Sequence, residues 1–187
     1  MTSAGNHQHS GQAKQSGLDR PVVLVGMMGV GKSTVGRILA TQLGVPFIDT
    51  DEEIERAAGM TISEIFEKFG EDYFRDGERR VIARLIGEGP KVIATGGGAF
   101  INDATRALIK DSTYSVWIDA DINVLVARVS RRNHRPLLIG KDPRVVLSGL
   151  IERRSPVYAL ADYHVRSDSA PHARTVEQIL KVLPLCP

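Results

Sequence analysis

A glycine-rich segment lies between a predicted strand and a predicted helix in this chain. Residues 26–33 read Gly-Met-Met-Gly-Val-Gly-Lys-Ser, which satisfies the pattern G-x-x-x-x-G-K-[ST]. The run from Val22 to Val25 before it is short and apolar, as in a buried strand, and apolar residues recur at helical spacing from Val35 to Leu43 after it. Pattern and context together predict a loop that binds the phosphates of a nucleoside triphosphate.

The residue types in this loop suit phosphate binding. Gly26, Gly29 and Gly31 have no Cβ, so the backbone can turn tightly and direct amide N–H groups at phosphate oxygens. Lys32 supplies a positive charge for the β- and γ-phosphates, and Ser33 supplies a hydroxyl for Mg²⁺. The alternative is a glycine-rich turn followed by an exposed lysine. The residues predicted to bind the nucleotide here are Gly29, Val30, Gly31, Lys32, Ser33 and Thr34.

Short apolar runs alternate with helical periodicity along the rest of the chain. Two helix starts are marked, one by a capping box of Thr61 with Glu64 and one by Pro143 directly after Asp142. Alternation of this kind predicts an α/β fold with a mostly parallel sheet covered by helices on both faces. The five predicted strands are Val22 to Val25, Val45 to Ile48, Val92 to Ala94, Tyr114 to Ile118 and Tyr163 to Arg166.

The composition is that of an ordinary soluble protein. A chain of 187 residues with 42% hydrophobic and 25% charged residues is expected to fold without disulfide bonds. Cys186 is the single cysteine, which is compatible with a reducing cytoplasm. The formal net charge of +2 is too small to predict a nucleic-acid surface, and no apolar run is long enough to span a membrane. We therefore expect a cytoplasmic protein that binds neither nucleic acid nor membrane.

Residues 1–20 differ in composition from the rest of the chain. Leu18 is their one strong hydrophobe among glycine, serine, glutamine, asparagine and histidine residues, so the segment lacks the apolar surface that offsets chain entropy. It also lacks the apolar run of a secretory signal. We predict a disordered tail at residues 1–20 and one folded domain at residues 21–187.

Asp49 and Asp51 stand two residues apart at the end of the second predicted strand. If the strand stays extended through both, their carboxylates project to one face at the carboxyl edge of the sheet, where α/β proteins bind ligands. The alternative is that Asp49 or Thr50 caps the helix that contains Ile54. The nearby phosphate-binding loop favours a role in the site.

Six segments of the chain, taken in order, form a recognisable set. They are the loop at 26–33, Asp-Thr-Asp at 49–51, Phe74-Arg75 with Glu78, Gly96-Gly97-Gly98, Arg-Pro-Leu-Leu at 135–138 and Arg154-Ser-Pro-Val-Tyr158. Together they resemble the shikimate kinase family, and the match runs from about Pro21 to His164 or beyond, which is nearly all of the predicted domain. The resemblance implies a three-layer α/β/α P-loop kinase fold with a five-stranded parallel sheet and a mobile lid. It also implies transfer of the γ-phosphate of ATP to the 3-hydroxyl of shikimate, with Mg²⁺ as cofactor, by a protein that is commonly monomeric.

The resemblance assigns catalytic and metal-binding roles to three residues besides Ser33. Asp51 would accept a hydrogen bond from the reacting hydroxyl, and Asp49 would hold Mg²⁺ through water. Lys32 would act on the transferred phosphate. Whether Asp51 also removes the proton stays open, because in a loose phosphoryl transition state positioning can matter more than basicity.

The resemblance also assigns the residues that bind the acceptor. Arg75 and Arg154 would clamp the carboxylate of shikimate, since a planar guanidinium donates two parallel hydrogen bonds. Glu78 would aim Arg75 from behind, and the alternative is a surface ion pair between the two. The backbone N–H groups that would meet the substrate hydroxyls belong to Gly96, Gly97 and Gly98.

The stretch between Asp121 and Asp142 has no acidic residue and several basic ones. By resemblance, residues from about 131 to 141 form the lid, Arg135 enters the site to neutralise charge on the transferred phosphoryl group, and Arg128 stacks on adenine. The alternative is a solvated basic loop. A nucleic-acid patch is disfavoured, because the stretch contains no aromatic residue for base stacking.

Two other functions fit part of the pattern. One is a P-loop kinase for another polyhydroxy acid such as gluconate, which the two arginines and the glycine triplet disfavour. The other is an ATP-binding regulatory module without activity, which the intact Lys32, Ser33, Asp51 and Arg135 disfavour.

The remaining aromatic and histidine residues are not predicted to act in the site. We expect the side chains of Phe66, Phe69, Phe74 and Trp117 to lie in the core. We expect His134 and His164 to belong to no metal site.

Overall fold

One parallel sheet organises the fold. The computed structural model describes residues 17–130, 140 and 142–185. Its strands are β1 (Val22–Val25), β2 (Phe47–Asp49), β3 (Val92–Ala94), β4 (Tyr114–Asp119) and β5 (Tyr163–Arg166). They pair in parallel in the order β2-β3-β1-β4-β5. The predicted five-stranded parallel sheet is confirmed, and β1, β3 and β5 have the predicted bounds.

Helices cover both faces of this sheet. Every residue of β1 and β3 is buried, as the continuous apolar runs predict for strands without a solvent face. Helix α3 begins at the predicted capping box, and α6 begins at Pro143. Within the described ranges, no helix is both long and apolar enough to cross a bilayer. The helices are α1 (Lys32–Leu43), α2 (Thr50–Ala58), α3 (Ile62–Gly87), α4 (Asp103–Ser112), α5 (Ile122–Val129), α6 (Pro143–Tyr158) and α7 (His172–Val182).

Three neighbouring strands carry the candidate residues to one edge. In the register of the sheet, Leu24 pairs with Ala94, and Ala94 pairs with Asp49, so β1, β3 and β2 end almost level. The chain leaves β1 into the glycine-rich loop, β2 into the first turn of α2, and β3 into the glycine triplet. Strand order alone therefore brings together three segments that are far apart in sequence.

The packed part of the chain begins before Pro21. Leu18 is only 4% exposed and belongs to the main hydrophobic core, and Asp19 accepts a hydrogen bond from the Tyr114 hydroxyl at 2.9 Å. The predicted start of the domain at residue 21 is therefore too late. The rest of the predicted tail, residues 1–16, lies outside the described residues.

Helix α3 consists of two helical pieces that meet at Gly70, whose φ of 80° and ψ of 178° are not helical. Before this break, Phe66 and Phe69 are exposed, so the expectation that they lie in the core is wrong for both. Phe74, after the break, is buried and packs in a small apolar cluster between α2 and α3. Ile65, in the piece before the break, is buried, so helical spacing alone does not distinguish the residues of this piece that are covered from those that are not.

Gly77 offers a test of the local energetics of α3. It lies in the helical piece after the break, and a Cβ placed there meets nothing within 4 Å. We expect Gly77→Ala to raise the free energy of unfolding by about 1 kcal/mol, because alanine has the higher helix propensity. Urea denaturation measures the change.

Gly70→Ala is the matched control for this substitution. Its Cβ also meets nothing within 4 Å, but alanine disfavours a φ of 80°, so we expect lower stability. Stabilisation by both substitutions, or by neither, would contradict this account of the helix.

Candidate active site

The glycine-rich loop after β1 requires its glycines. Gly26, Gly29 and Gly31 have φ values of 131°, 80° and 103°, in the left-handed range that other residues rarely adopt. A Cβ on Gly26 would overlap the carbonyl oxygen of Ile118, and one on Gly31 would lie 2.8 Å from the His172 ring. Backbone conformation and space both exclude side chains here, which agrees with the prediction from the sequence.

The first turn of α1 ends the loop without a side-chain cap. The N–H groups at the start of a helix have no intrahelical partner, and without a cap they are available to an anionic ligand, which the helix dipole also favours. Helices α2 to α6 are capped in this structure by the side chains of Asp49, Thr61, Asn102, Asp121 and Asp142. Helix α7 also begins without a side-chain cap, so what distinguishes α1 is that its uncapped start directly follows the glycine-rich loop, which makes it the candidate site for phosphate.

Lys32 holds its ammonium group inside the loop. The Nζ atom donates to the carbonyl oxygens of Gly26 at 2.8 Å and Met27 at 3.0 Å, and the residue is buried. A buried ammonium is stable because these carbonyls satisfy its hydrogen bonds. The exposed lysine of the alternative interpretation is therefore wrong.

Asp49 caps α2 with one carboxylate oxygen and contacts Ser33 of the glycine-rich loop with the other. Its Oδ2 accepts a hydrogen bond from the Ser33 hydroxyl at 2.6 Å, and its Oδ1 accepts one from the Asp51 backbone N–H at 3.1 Å, which caps α2. The expected extended conformation through Asp51 is wrong, because β2 ends at Asp49 and a helix begins at Thr50. Asp51 therefore projects from a helix first turn.

The glycine triplet after β3 meets Asp51 and Arg154. A Cβ on Gly96 would lie 2.8 Å from Asp51 Oδ1, and one on Gly97 would lie 3.6 Å from Arg154 Nη1. Arg154 Nη1 also donates to the Gly97 carbonyl at 3.3 Å. Absent side chains at the triplet thus leave room for the acceptor-side residues, a use of glycine that the sequence analysis did not foresee.

Arg75 reaches the same triplet from α3. A Cβ on Gly98 would overlap its guanidinium group. Arg75 Nη1 donates to Glu78 Oε2 at 2.7 Å, and Nη2 donates to Glu71 Oε1 at 3.2 Å. The Glu78 side chain is 1% exposed, so the surface ion pair considered as an alternative is wrong. A buried carboxylate with one aligned partner fixes the arginine more firmly than a surface pair does.

Two of the three amides of the triplet have no acceptor within the described parts of the chain. They belong to Gly97 and Gly98. The N–H of Gly96 donates to the Thr50 hydroxyl at 3.3 Å, so the prediction of a bare amide is wrong at Gly96. The reason is that Thr50, which is buried, begins α2 beside the triplet.

One cavity of about 660 Å³ joins the loop to the acceptor side. Lys32, Asp49, Asp51 and Gly97 contribute to its wall, and Arg128 lines it as well. Arg75 and Arg154 do not line it, but they reach the triplet that does. The cavity therefore connects the predicted nucleotide residues with Asp51.

Arg128 bridges two loops at the cavity. Its guanidinium donates to the Val30 carbonyl at 2.8 Å, the Ser167 hydroxyl at 3.2 Å and the Asp168 carbonyl at 2.7 Å. These bonds hold its edges and fix its plane. Arg135, the other arginine predicted to act on the nucleotide, lies outside the described residues, as does the predicted lid apart from residue 140.

The fold places at the site two residues for which the sequence predicted no role: His172, and Tyr158 of the Arg154-Ser-Pro-Val-Tyr158 segment. His172 lines the cavity against Gly31, and its Nδ1 is buried without a partner in the described parts of the chain. Burial lowers the pKa of His172, and the nearby Arg128 lowers it further. Tyr158 donates its hydroxyl hydrogen to the Gly97 carbonyl at 2.5 Å. The available signals were the carboxyl-edge position of His172 after β5 and the spacing of Tyr158 four residues after Arg154.

Comparison with known proteins agrees with this geometry. The family model described as shikimate kinase matches residues 28–184. The shikimate kinase of Caulobacter vibrioides is 58% identical over 164 residues, which cover 88% of this chain and 82% of that protein. The shikimate kinase of Novosphingobium aromaticivorans is 56% identical, with 89% and 88% covered.

A solved structure with a similar fold supports the fold assignment. The shikimate kinase of Acinetobacter baumannii, solved in complex with shikimate, superposes with a TM-score of 0.85 at 37% identity. The superposition covers 91% of this chain and 96% of that one. The predicted fold class is confirmed.

The pH dependence of the unfolding free energy tests the burial of Glu78. Burial raises the pKa of its carboxyl above the usual 4.5, while Arg75 opposes the rise. A group with a raised pKa in the folded state stabilises the protein at low pH and loses that contribution as pH rises through the folded pKa. We expect the unfolding free energy of the wild type, relative to Glu78→Gln, to fall as the pH is raised from about 4.5.

Urea denaturation of both proteins at several pH values measures this difference. Glu71→Gln is the matched control, because Glu71 bonds to the same arginine but its side chain is 66% exposed. We expect its difference from the wild type to depend less on pH. A wild type that gains stability relative to Glu78→Gln as pH rises would contradict the direction of the shift.

Proposed function

The chain belongs to the shikimate kinase family, and we propose that it transfers the γ-phosphoryl group of ATP to the 3-hydroxyl of shikimate. The products are shikimate 3-phosphate and ADP, in aromatic amino acid biosynthesis. The observation that carries the proposal is the meeting of a phosphate-binding loop with Asp51, Arg75 and Arg154 at one edge of the sheet.

The loop side of the cavity suits ATP. The amides at the uncapped start of α1 and the ammonium of Lys32 supply donors and positive charge for the phosphates. Arg128 is bound by its edges to Val30 and to the segment after β5, so the face of its guanidinium is the part suited to stack on adenine. Gly29, Gly31, Ser33 and Thr34 line the cavity beside these groups.

Ser33 and Asp49 fit a magnesium ion. Both are oxygen donors, they are already in hydrogen-bond contact at 2.6 Å, and they lie at the loop end of the cavity. The described residues contain no cluster of three or more histidine, cysteine, aspartate or glutamate side chains with metal-binding geometry. Two protein oxygens suit Mg²⁺, which keeps several waters and binds phosphate oxygens. When bound, the ion would neutralise charge on the phosphates.

The triplet side of the cavity suits a hydroxylated ring acid. Arg75 and Arg154 approach Gly98 and Gly97 respectively, and together they would hold the substrate carboxylate. Asp51 lies at Gly96 and lines the same cavity as the loop. An acid anchored by the arginines would therefore present a hydroxyl to Asp51, facing the γ-phosphate.

The transfer itself requires little covalent chemistry from the protein. The substrate oxygen forms a bond to the γ-phosphorus as the bond between that phosphorus and the oxygen of ADP breaks. Asp51 holds the attacking hydroxyl and is the group placed to receive its proton. Lys32 stabilises charge on the phosphate oxygens, and we assign the same task to Arg135 of the predicted lid.

We propose a monomeric enzyme, as the resemblance to the family implies. The use of ATP as phosphate donor supports the proposal of a cytoplasmic location. We propose no nucleic acid or membrane as a partner.

A coupled assay of ADP formation tests the function. MgATP is supplied with shikimate, with gluconate, or with no acceptor. We expect turnover with shikimate and only a background rate in the other two arms, because gluconate also has a carboxylate but is an open chain, in which no ring fixes the direction of the hydroxyls relative to that carboxylate. Turnover with gluconate alone would overturn the proposal, and no turnover with any acceptor would favour a regulatory ATP-binding protein.

Asp51→Asn tests the acceptor role. We expect kcat to fall by about 10²- to 10⁴-fold, the usual loss for a missing acid–base group, while the KM for ATP changes little. The reason is that the carboxylate lies at Gly96 and faces the acceptor. Steady-state kinetics with both substrates measure the split. Asp103→Asn, at an exposed position on α4, is the control. Comparable losses in kcat and in ATP binding would contradict the acceptor role and indicate that Asp51 binds the metal or maintains the structure.

A further inference from the structure

Tyr158 is the last residue of α6 and points its hydroxyl at the glycine triplet. The side chain is 1% exposed, and its hydroxyl lies 2.5 Å from the Gly97 carbonyl oxygen. Burial raises the pKa of the phenol, with Arg154 opposing, so the hydroxyl keeps its proton and donates it to this carbonyl. The tyrosine thus connects the hydrophobic core to the backbone of the glycine triplet.

Two donors from one helix meet at this carbonyl. Arg154 and Tyr158 are four residues apart on α6, which places them on the same helix face. Arg154 Nη1 lies 3.3 Å from the oxygen, so the tyrosine makes the shorter of the two bonds. Tyr158 therefore shares the carbonyl with Arg154, and the arginine does not have to satisfy it alone.

The peptide between Gly97 and Gly98 needs such a constraint. A peptide group with glycine on both sides turns more easily than other peptide groups, because no Cβ restricts the flanking dihedral angles. The Ala99 N–H donates to the Gly96 carbonyl at 3.2 Å, and a turn closed by such a bond still allows its central peptide two opposite orientations. In a trans peptide the C=O and the following N–H point in opposite directions. A carbonyl held toward α6 therefore holds the Gly98 N–H away from α6, and Gly98 lies against the Arg75 guanidinium.

We propose that the Tyr158 hydroxyl is a positioning group for the acceptor site: by fixing the Gly97 carbonyl, it sets the direction of the Gly98 N–H and leaves Arg154 for the substrate carboxylate. The inference rests on the proposed function. It concerns only the hydroxyl, because the ring has a separate role in the core, where it packs 6.1 Å from the Trp117 ring.

Tyr158→Phe tests the proposal, since it removes the donor and keeps the ring. We expect the KM for shikimate to rise about three- to tenfold, as for loss of one buried hydrogen bond, while the KM for ATP changes less than about twofold. Calorimetric titration of shikimate into the enzyme without nucleotide should show the same loss of affinity. Thermal unfolding is measured in parallel.

Tyr114→Phe is the matched control. The Tyr114 hydroxyl also makes one hydrogen bond, to Asp19 at 2.9 Å, but it lies at the start of β4, away from the triplet. We expect its KM values to equal those of the wild type, whatever the change in stability. This variant separates the general cost of a lost tyrosine hydroxyl from the effect on the site.

The outcomes distinguish the two proposals. Failure of the wild type to phosphorylate shikimate would overturn the proposed function and this inference with it. A wild type that turns over shikimate, with an unchanged KM for shikimate in Tyr158→Phe, would overturn the inference alone. Equal rises in both KM values, or a Tyr158→Phe variant that does not fold when Tyr114→Phe does, would assign the hydroxyl to structure and also overturn it.

Discussion

The carboxyl ends of β1 and β3 lie side by side, and both continue as backbone without side chains. The loop after β1 can bend as it does because Gly26, Gly29 and Gly31 accept positive φ. The glycine triplet after β3 has no Cβ atoms, so the space that three Cβ atoms would fill is open to other groups. Charged side chains that would otherwise stay at the rim can therefore reach the centre of this edge. Close approach of charged groups to backbone is the constraint on which the rest of the site depends.

Buried charge is the cost of this arrangement. Glu78 is taken almost entirely out of water so that it can align Arg75, and burial raises the pKa of its carboxyl. Its second oxygen, Oε1, has no hydrogen-bond partner within the described parts of the chain. An apolar residue would pack there at lower cost, so the carboxylate is explained by the position that it gives the arginine.

Two residues of the site each hold more than one neighbouring group in place. Asp49 holds Ser33 with one oxygen and caps α2 with the other, so the metal-binding candidates and the helix that carries Asp51 share one carboxylate. Arg128 ties the nucleotide loop to the segment after β5. A change at either residue would therefore alter the geometry of a neighbouring group as well as its own contact.

The sequence by itself determined the α/β class, the strand bounds of β1, β3 and β5 and the phosphate-binding loop, because each depends on local spacing of apolar residues or glycines. It also predicted the acceptor residues, through motifs whose order resembles a known family. It could not give the helical start at Thr50, the break at Gly70 or the burial of Leu18, since these depend on what packs against them. Only the tertiary structure placed Tyr158 on the Gly97 carbonyl and His172 against Gly31. Tyr158 and Gly97 are 61 positions apart in the sequence, and His172 and Gly31 are 141 positions apart. Contacts over such separations leave no periodic pattern in a sequence, because they arise only once the strands have been ordered.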